Sequence, residues 1–78
     1  MAEAYVLITC EEGHEEKIIN ELSEINDIVT TNRVIGPYNI LVKIKGETID
    51  TVIDTITSDI KTIDKIQYTL TLKVKHNT

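Results

Sequence analysis

Hydrophobic and polar positions along this chain alternate in two rhythms, one of strands and one of helices. Ala4 to Cys10 is apolar on both sides of the pleat through Tyr5, Val6, Leu7 and Ile8, as expected of a central strand, and it stops at Glu11-Glu12-Gly13. From there to Asn26, Ile18, Leu22 and Ile25 recur at helical spacing, joined by Ile19, while Glu15, Glu16, Lys17, Asn20 and Glu24 take the other faces. A β-branched run with a polar centre, Ile28 to Ile35, predicts an edge strand. Asn39 to Lys45 places Ile40, Val42 and Ile44 on one face and Leu41, Lys43 and Lys45 on the other, a half-buried strand ended by Gly46. Between Glu47 and Lys61, Ile49, Val52, Ile53, Ile56 and Ile60 form one stripe, so periodicity predicts a helix although threonine and isoleucine are weak helix formers. The last strand, Ile66 to Val74, separates Ile66, Tyr68, Leu70, Leu72 and Val74 from Gln67, Thr69, Thr71 and Lys73. His76-Asn77-Thr78 reads as a frayed tail.

The order β-α-β-β-α-β predicts an α+β, ferredoxin-like sandwich: a four-stranded antiparallel sheet with two helices on one face. The two halves echo each other, Ile25-Asn26-Asp27-Ile28 leaving the first helix as Ile63-Asp64-Lys65-Ile66 leaves the second. If the apolar side of the last strand joins Ile40, Val42 and Ile44 beneath the helices, the open face carries Leu41, Thr69, Thr71 and part of the first strand. Such a mixed surface suits a dimer interface.

Gly36-Pro37-Tyr38-Asn39 lies between two β-branched runs and is the one candidate for a purpose-built loop. Pro37 presets φ for the second position of a tight turn, and Gly36 has no side chain to hinder an approach to the backbone. Chain reversal alone accounts for a lone Gly-Pro pair, so any further role depends on its surroundings.

With 78 residues and one cysteine, the chain is a single domain, 1–78, without a disulfide framework, and it has neither a signal-like start nor an apolar run long enough to span a bilayer. The expected setting is the cytoplasm. A core this small yields only about 3–5 kcal/mol, so oligomerisation is the expected supplement. Thirteen acidic side chains against eight basic ones give a net charge of −5 and argue against direct nucleic-acid binding. The lysines at 43, 45, 61, 65, 73 and 75 could cluster only locally.

Catalytic chemistry finds little footing. Cys10 stands beside Glu11 and Glu12, which would raise a thiol pKa, and the acidic cluster Glu11, Glu12, Glu15 and Glu16 is explained by the dipole of a helix N-terminus. His14 and His76 lack the spaced partners of a metal site, and the three glycines are too far apart for a phosphate loop. No catalytic residue, metal or cofactor is expected.

Val34-Ile35-Gly36-Pro37-Tyr38-Asn39-Ile40-Leu41-Val42 resembles the hairpin of the Lrp/AsnC (leucine-responsive regulatory protein) ligand-binding domain, which usually reads valine-threonine-glycine-x-tyrosine-aspartate before an aliphatic strand. Ala4-Tyr5-Val6-Leu7-Ile8 and Tyr68-Thr69-Leu70-Thr71-Leu72 are similar to that family's first and last strands, including its threonine-x-threonine pair. The resemblance spans essentially the whole chain, with Ile35 in place of the usual threonine and Asn39 in place of the usual aspartate. Family members that regulate transcription carry an N-terminal helix-turn-helix domain, whereas this chain begins at the effector domain and so resembles the stand-alone type.

The resemblance implies a homodimer formed through the sheets, a dimeric α/β-barrel-like assembly, with dimers joining into higher oligomers that bind an amino acid or similar small effector between subunits. It implies binding without turnover, modulation of full-length regulators of the same family as partners, and no membrane or direct nucleic-acid contact. By carry-over, Gly36 and Pro37 would offer main-chain groups to the ligand, Tyr38 and Asn39 would line the pocket, and Thr69 and Thr71 would supply hydroxyls. Three other readings stand beside it. One is an adaptor subunit that assembles without sensing. Another is a small dimeric ferredoxin-like enzyme, for which only Tyr5, Tyr38 and Tyr68 are candidates. The third is an amino-acid-sensing ACT domain, whose glycine signature would be met here only by Gly13.

Overall fold

The computed structural model describes residues 1–75; the tail expected at His76-Asn77-Thr78 lies outside the described residues. Its elements are β1 (Ala2–Cys10), α1 (Glu15–Ser23), β2 (Ile28–Arg33), β3 (Ile40–Gly46), α2 (Ile49–Thr55) and β4 (Ile66–Lys73), with a π-helical turn over Ile56–Ile60 continuing α2. The four strands form one antiparallel sheet in the order β2-β3-β1-β4, the ferredoxin-like arrangement predicted from periodicity. β1 is central and β2 is an edge.

One hydrophobic layer joins sheet and helices. Ala4, Val6, Ile8 and Cys10 of β1 and Ile40, Val42 and Ile44 of β3 pack with Ile18 and Leu22 of α1 and with Val52, Ile56 and Ile60 of the second helical segment. Burial of each large aliphatic side chain contributes about 1.5–3 kcal/mol, so the strict alternation of β1 and β3 fixes which way the sheet faces. Gly46 closes β3 where a Cβ would stand 3.0 Å from Val52 Cγ2, so a larger residue there would require the Val52 side chain to shift by a few tenths of an ångström.

Local signals set the helix ends unequally. Glu15 and Glu16 occupy the first turn of α1, where their charge complements the helix dipole, but no side chain caps it. At α2 the Thr48 Oγ1 accepts from the Thr51 N–H at 3.2 Å. Its far end widens: the Lys61 N–H donates to Ile56 O at 2.9 Å, five residues back, in a stretch whose β-branched residues favour the α-helix weakly.

Three expectations need correction. β2 ends at Arg33, and residues 34–39 form a loop instead of a four-residue turn joined directly to a strand reaching Ile35. The helix expected to run to Asn26 ends at Ser23. The third correction is the largest: β4 presents the opposite face from the one expected. Thr69 and Thr71 lie opposite Ile8 and Val6, on the helix side, whereas Leu70 and Leu72 lie opposite Leu7 and Tyr5. Tyr68, Leu70 and Leu72 are therefore 73%, 42% and 48% exposed. A register shift at Thr9/Cys10 lets Ile66 pair with Cys10 and pack against the core while the rest of the apolar set faces outward. The open face thus combines Tyr5 and Leu7 of β1, Leu41 of β3 and Tyr68, Leu70 and Leu72 of β4, far more apolar than the mixed surface expected.

At the far end of that face Glu3 meets Lys43 and Lys45 at 3.6 and 3.5 Å, and the Lys43 ammonium sits 5.8 Å from the Tyr5 ring centroid. No helix among the described residues is long and apolar enough to cross a membrane.

Candidate functional site

The 34–39 loop is bound into the sheet by Asn39. The Val34 N–H donates to Asn39 O, the Asn39 N–H donates to Ile8 O, and the Cys10 N–H donates to Asn39 Oδ1, each at 2.9 Å. The side chain therefore extends the β1–β3 ladder by one step, at the level where β1 shifts register against β4. Because a backbone N–H must meet an acceptor, the amide oxygen is the atom facing Cys10, and the Nδ2 group makes no hydrogen bond among the described residues.

Gly36 takes φ +133°, a backbone conformation that side chains rarely adopt, and a Cβ there would meet nothing within 4 Å. Glycine is needed for the path of the backbone, not for a close contact inside the chain. Gly36 and Pro37 are exposed, Tyr38 is half-buried, and Ile35 projects fully into solvent.

Thr69 and Thr71 are partly buried on β4. Asn39 binds the Ile8 carbonyl on one side of β1, and Thr69 pairs with Ile8 on the other, so they are separated by two strand spacings, about 10 Å. Thr69 also lines a shallow, open depression of about 260 Å³ with Lys61, Ile66, Gln67 and Tyr68. The loop does not line that depression, and neither does Thr71. Within one chain the six residues do not close around a common pocket. Lys61 and Gln67 escaped sequence reasoning as depression-lining residues because the register shift that places Gln67 there leaves no pattern in the sequence.

Charge at this end of the sheet is divided. Burial pushes the Cys10 thiol above its ordinary value, Glu15 adds to the rise, and Arg33 opposes it. The Glu15 carboxyl is held below its usual range, first by its own backbone N–H and further by the Gly13 N–H, which donates to Glu15 Oε1 at 2.9 Å, and by Arg33. Glu11 pairs with Lys65 at 3.7 Å. Arg33, exposed at the end of β2, has no ion-pair partner among the described residues. No group of three or more metal-ligating side chains occurs among the described residues.

A family model described as the Lrp/AsnC ligand binding domain matches residues 3–77. No curated protein sequence matches significantly. Among solved structures, a hypothetical protein from Pyrococcus horikoshii is 25% identical with a TM-score of 0.91, over 99% of this chain and 93% of that one. AsnC of E. coli is also 25% identical, with a TM-score of 0.89, over 97% of this chain but 52% of its own length. A transcriptional regulator from Neisseria meningitidis, solved in complex with L-Met, superposes with a TM-score of 0.83 over 99% of this chain and 54% of its own; at 11% identity it shows the fold alone.

Proposed function

The chain belongs to the Lrp/AsnC ligand-binding domain family, and from that premise we propose that it is an effector-binding domain whose assembly responds to a small molecule of the amino-acid type. The family match over residues 3–77 carries this reading. Two supporting observations are independent of it. The loop at Gly36, Pro37, Tyr38 and Asn39 is rigidly tied to β1 yet leaves Gly36 and Pro37 exposed, so main-chain groups held there are preorganised for a ligand. The open sheet face carries Tyr5, Leu7, Leu41, Tyr68, Leu70 and Leu72, an apolar surface that a second copy would cover.

In this reading, dimers form through the sheets and associate further, and the loop of one subunit completes a pocket with Thr69 and Thr71 of another. That division fits the absence of a shared pocket within the chain. The ligand-binding description of the family, and the L-Met complex of the Neisseria transcriptional regulator, support amino acids as the ligand class and regulators of this family as partners. The test is thermal-shift titration with the common L-amino acids, read beside oligomer mass by light scattering. A ligand that raises Tm and changes or stabilises the assembly supports the proposal; no response to any of them, with a monomer in solution, overturns it. The apolar open face alone favours a second reading, an assembly subunit without a ligand, which predicts a stable oligomer whose Tm no amino acid changes.

A further inference from the structure

The hydrogen bonding of Asn39 determines which group its own side chain can offer a ligand. Asn39 Oδ1 is committed to the Cys10 N–H at 2.9 Å, and its main-chain N–H and carbonyl are committed to Ile8 and Val34. Its wholly unused group is Nδ2, a pure donor. Arg33, immediately before the loop and exposed, has five guanidinium donors and no ion-pair partner among the described residues. Arg33 pairs with Ile40 and its neighbour Val34 bonds to Asn39, so its charge stands at the root of the loop. Of the carboxylates nearby, Glu11 pairs with Lys65, and Glu15 accepts from the Gly13 N–H and attracts Arg33 without forming an ion pair with it.

Resting on the effector reading above, we infer that Asn39 and Arg33 receive the carboxylate end of the ligand, so that its ammonium or side chain points away from this loop toward the neighbouring subunit. A carboxylate meets two kinds of donor here, one of them charged, and charge-assisted hydrogen bonds are about twice as strong as neutral ones. An ammonium at the same place would face Nδ2 and a guanidinium, donor against donor and charge against like charge.

Asn39→Asp separates the two orientations by the sign of its effect. Aspartate retains an oxygen for the Cys10 N–H, so the loop keeps its tie to β1. Its second oxygen replaces a donor with a negative charge that repels a carboxylate and competes for Arg33. The probes are the common L-amino acids, titrated singly by calorimetry against wild type, N39D and R33Q, with C-terminal amides of the binding amino acids as a further series. Expected are a loss of about tenfold or more in affinity for both variants, a loss of similar size when the wild type meets the amide, and little further loss when the amide meets N39D. Tighter binding by N39D, or amides that bind wild type as well as the free acids, overturns the orientation while leaving effector binding intact. If no amino acid binds wild type, the effector reading itself fails and this inference with it.

Discussion

Asn39 shows how much of a loop can rest on one residue. Without its side-chain oxygen, the Cys10 N–H at the buried end of β1 loses its acceptor, and the loop is held by backbone contacts alone. An unsatisfied buried donor costs about 1–3 kcal/mol, so Asn39→Ala should lower stability by that amount in urea denaturation. Asn39→Asp should lose much less, because the acceptor remains. Cys10 itself is packing, not chemistry: a thiol raised above 9.0 by burial stays protonated at neutral pH. It should react with a thiol reagent far more slowly in the native protein than in urea. The sign of the linkage is set by the same shift. Above the ordinary thiol pKa the unfolded chain releases a proton that the folded chain retains, so Cys10 makes stability fall as pH rises through 9.0 and beyond. Replacing Cys10 with serine or alanine should flatten that part of the pH profile, as followed by denaturation at stepped pH.

At the scale of elements, the second helix depends most on local detail. Its residues are poor helix formers, its start is fixed by Thr48, and Thr55, where α2 passes into the π-helical turn, is buried with its hydroxyl 3.0 Å from Asp27 Oδ2 and 3.2 Å from Thr51 O. A single hydroxyl hydrogen serves one acceptor at a time, and the carboxylate is the stronger, which links α2 to the turn before β2. Thr48→Ala should cost about 1 kcal/mol, measured as a shift in the denaturation midpoint with an unchanged slope. The two edge strands differ for a related reason. β2 alternates weakly, and a bulge near Ile28 leaves Val29 half exposed. β4 alternates cleanly, yet its apolar set faces away from the helices.

That reversal matters most for the whole molecule. The helix layer already covers β1 and β3 with Ile18, Leu22, Val52, Ile56 and Ile60, and β4 lies at the edge, where Thr69 and Thr71 suffice beneath it. Leu70 and Leu72 then join Leu7 and Leu41 in one apolar surface. Leu70→Asp should dissociate any assembly formed through this face, read as a fall in mass by sedimentation. Leu70 is 42% exposed in the single chain, so the protomer should keep its helical and sheet circular dichroism. If mass is unchanged, assembly does not use this face.

The strands, the helices and their order could be read from the sequence because each is encoded locally, by a period of two or 3.6 and by the polar residues that stop it. The buried face of β3 was equally legible, since Ile40, Val42 and Ile44 alternate against lysines that cannot be buried unpaired, whereas β1, apolar on both sides, left its buried face to the structure. The direction of β4 was not, because an alternating strand specifies two faces without saying which meets the helices. Pairing with β1 decided it, through a register shift that moves the phase of the strand and leaves no trace in composition. The candidate loop divides in the same way. Gly36 and Asn39 could be singled out in the sequence, but the bond from Cys10 to Asn39 spans 29 positions. Only folding brings those partners together, and that contact determines which polar group Asn39 has left to offer a ligand.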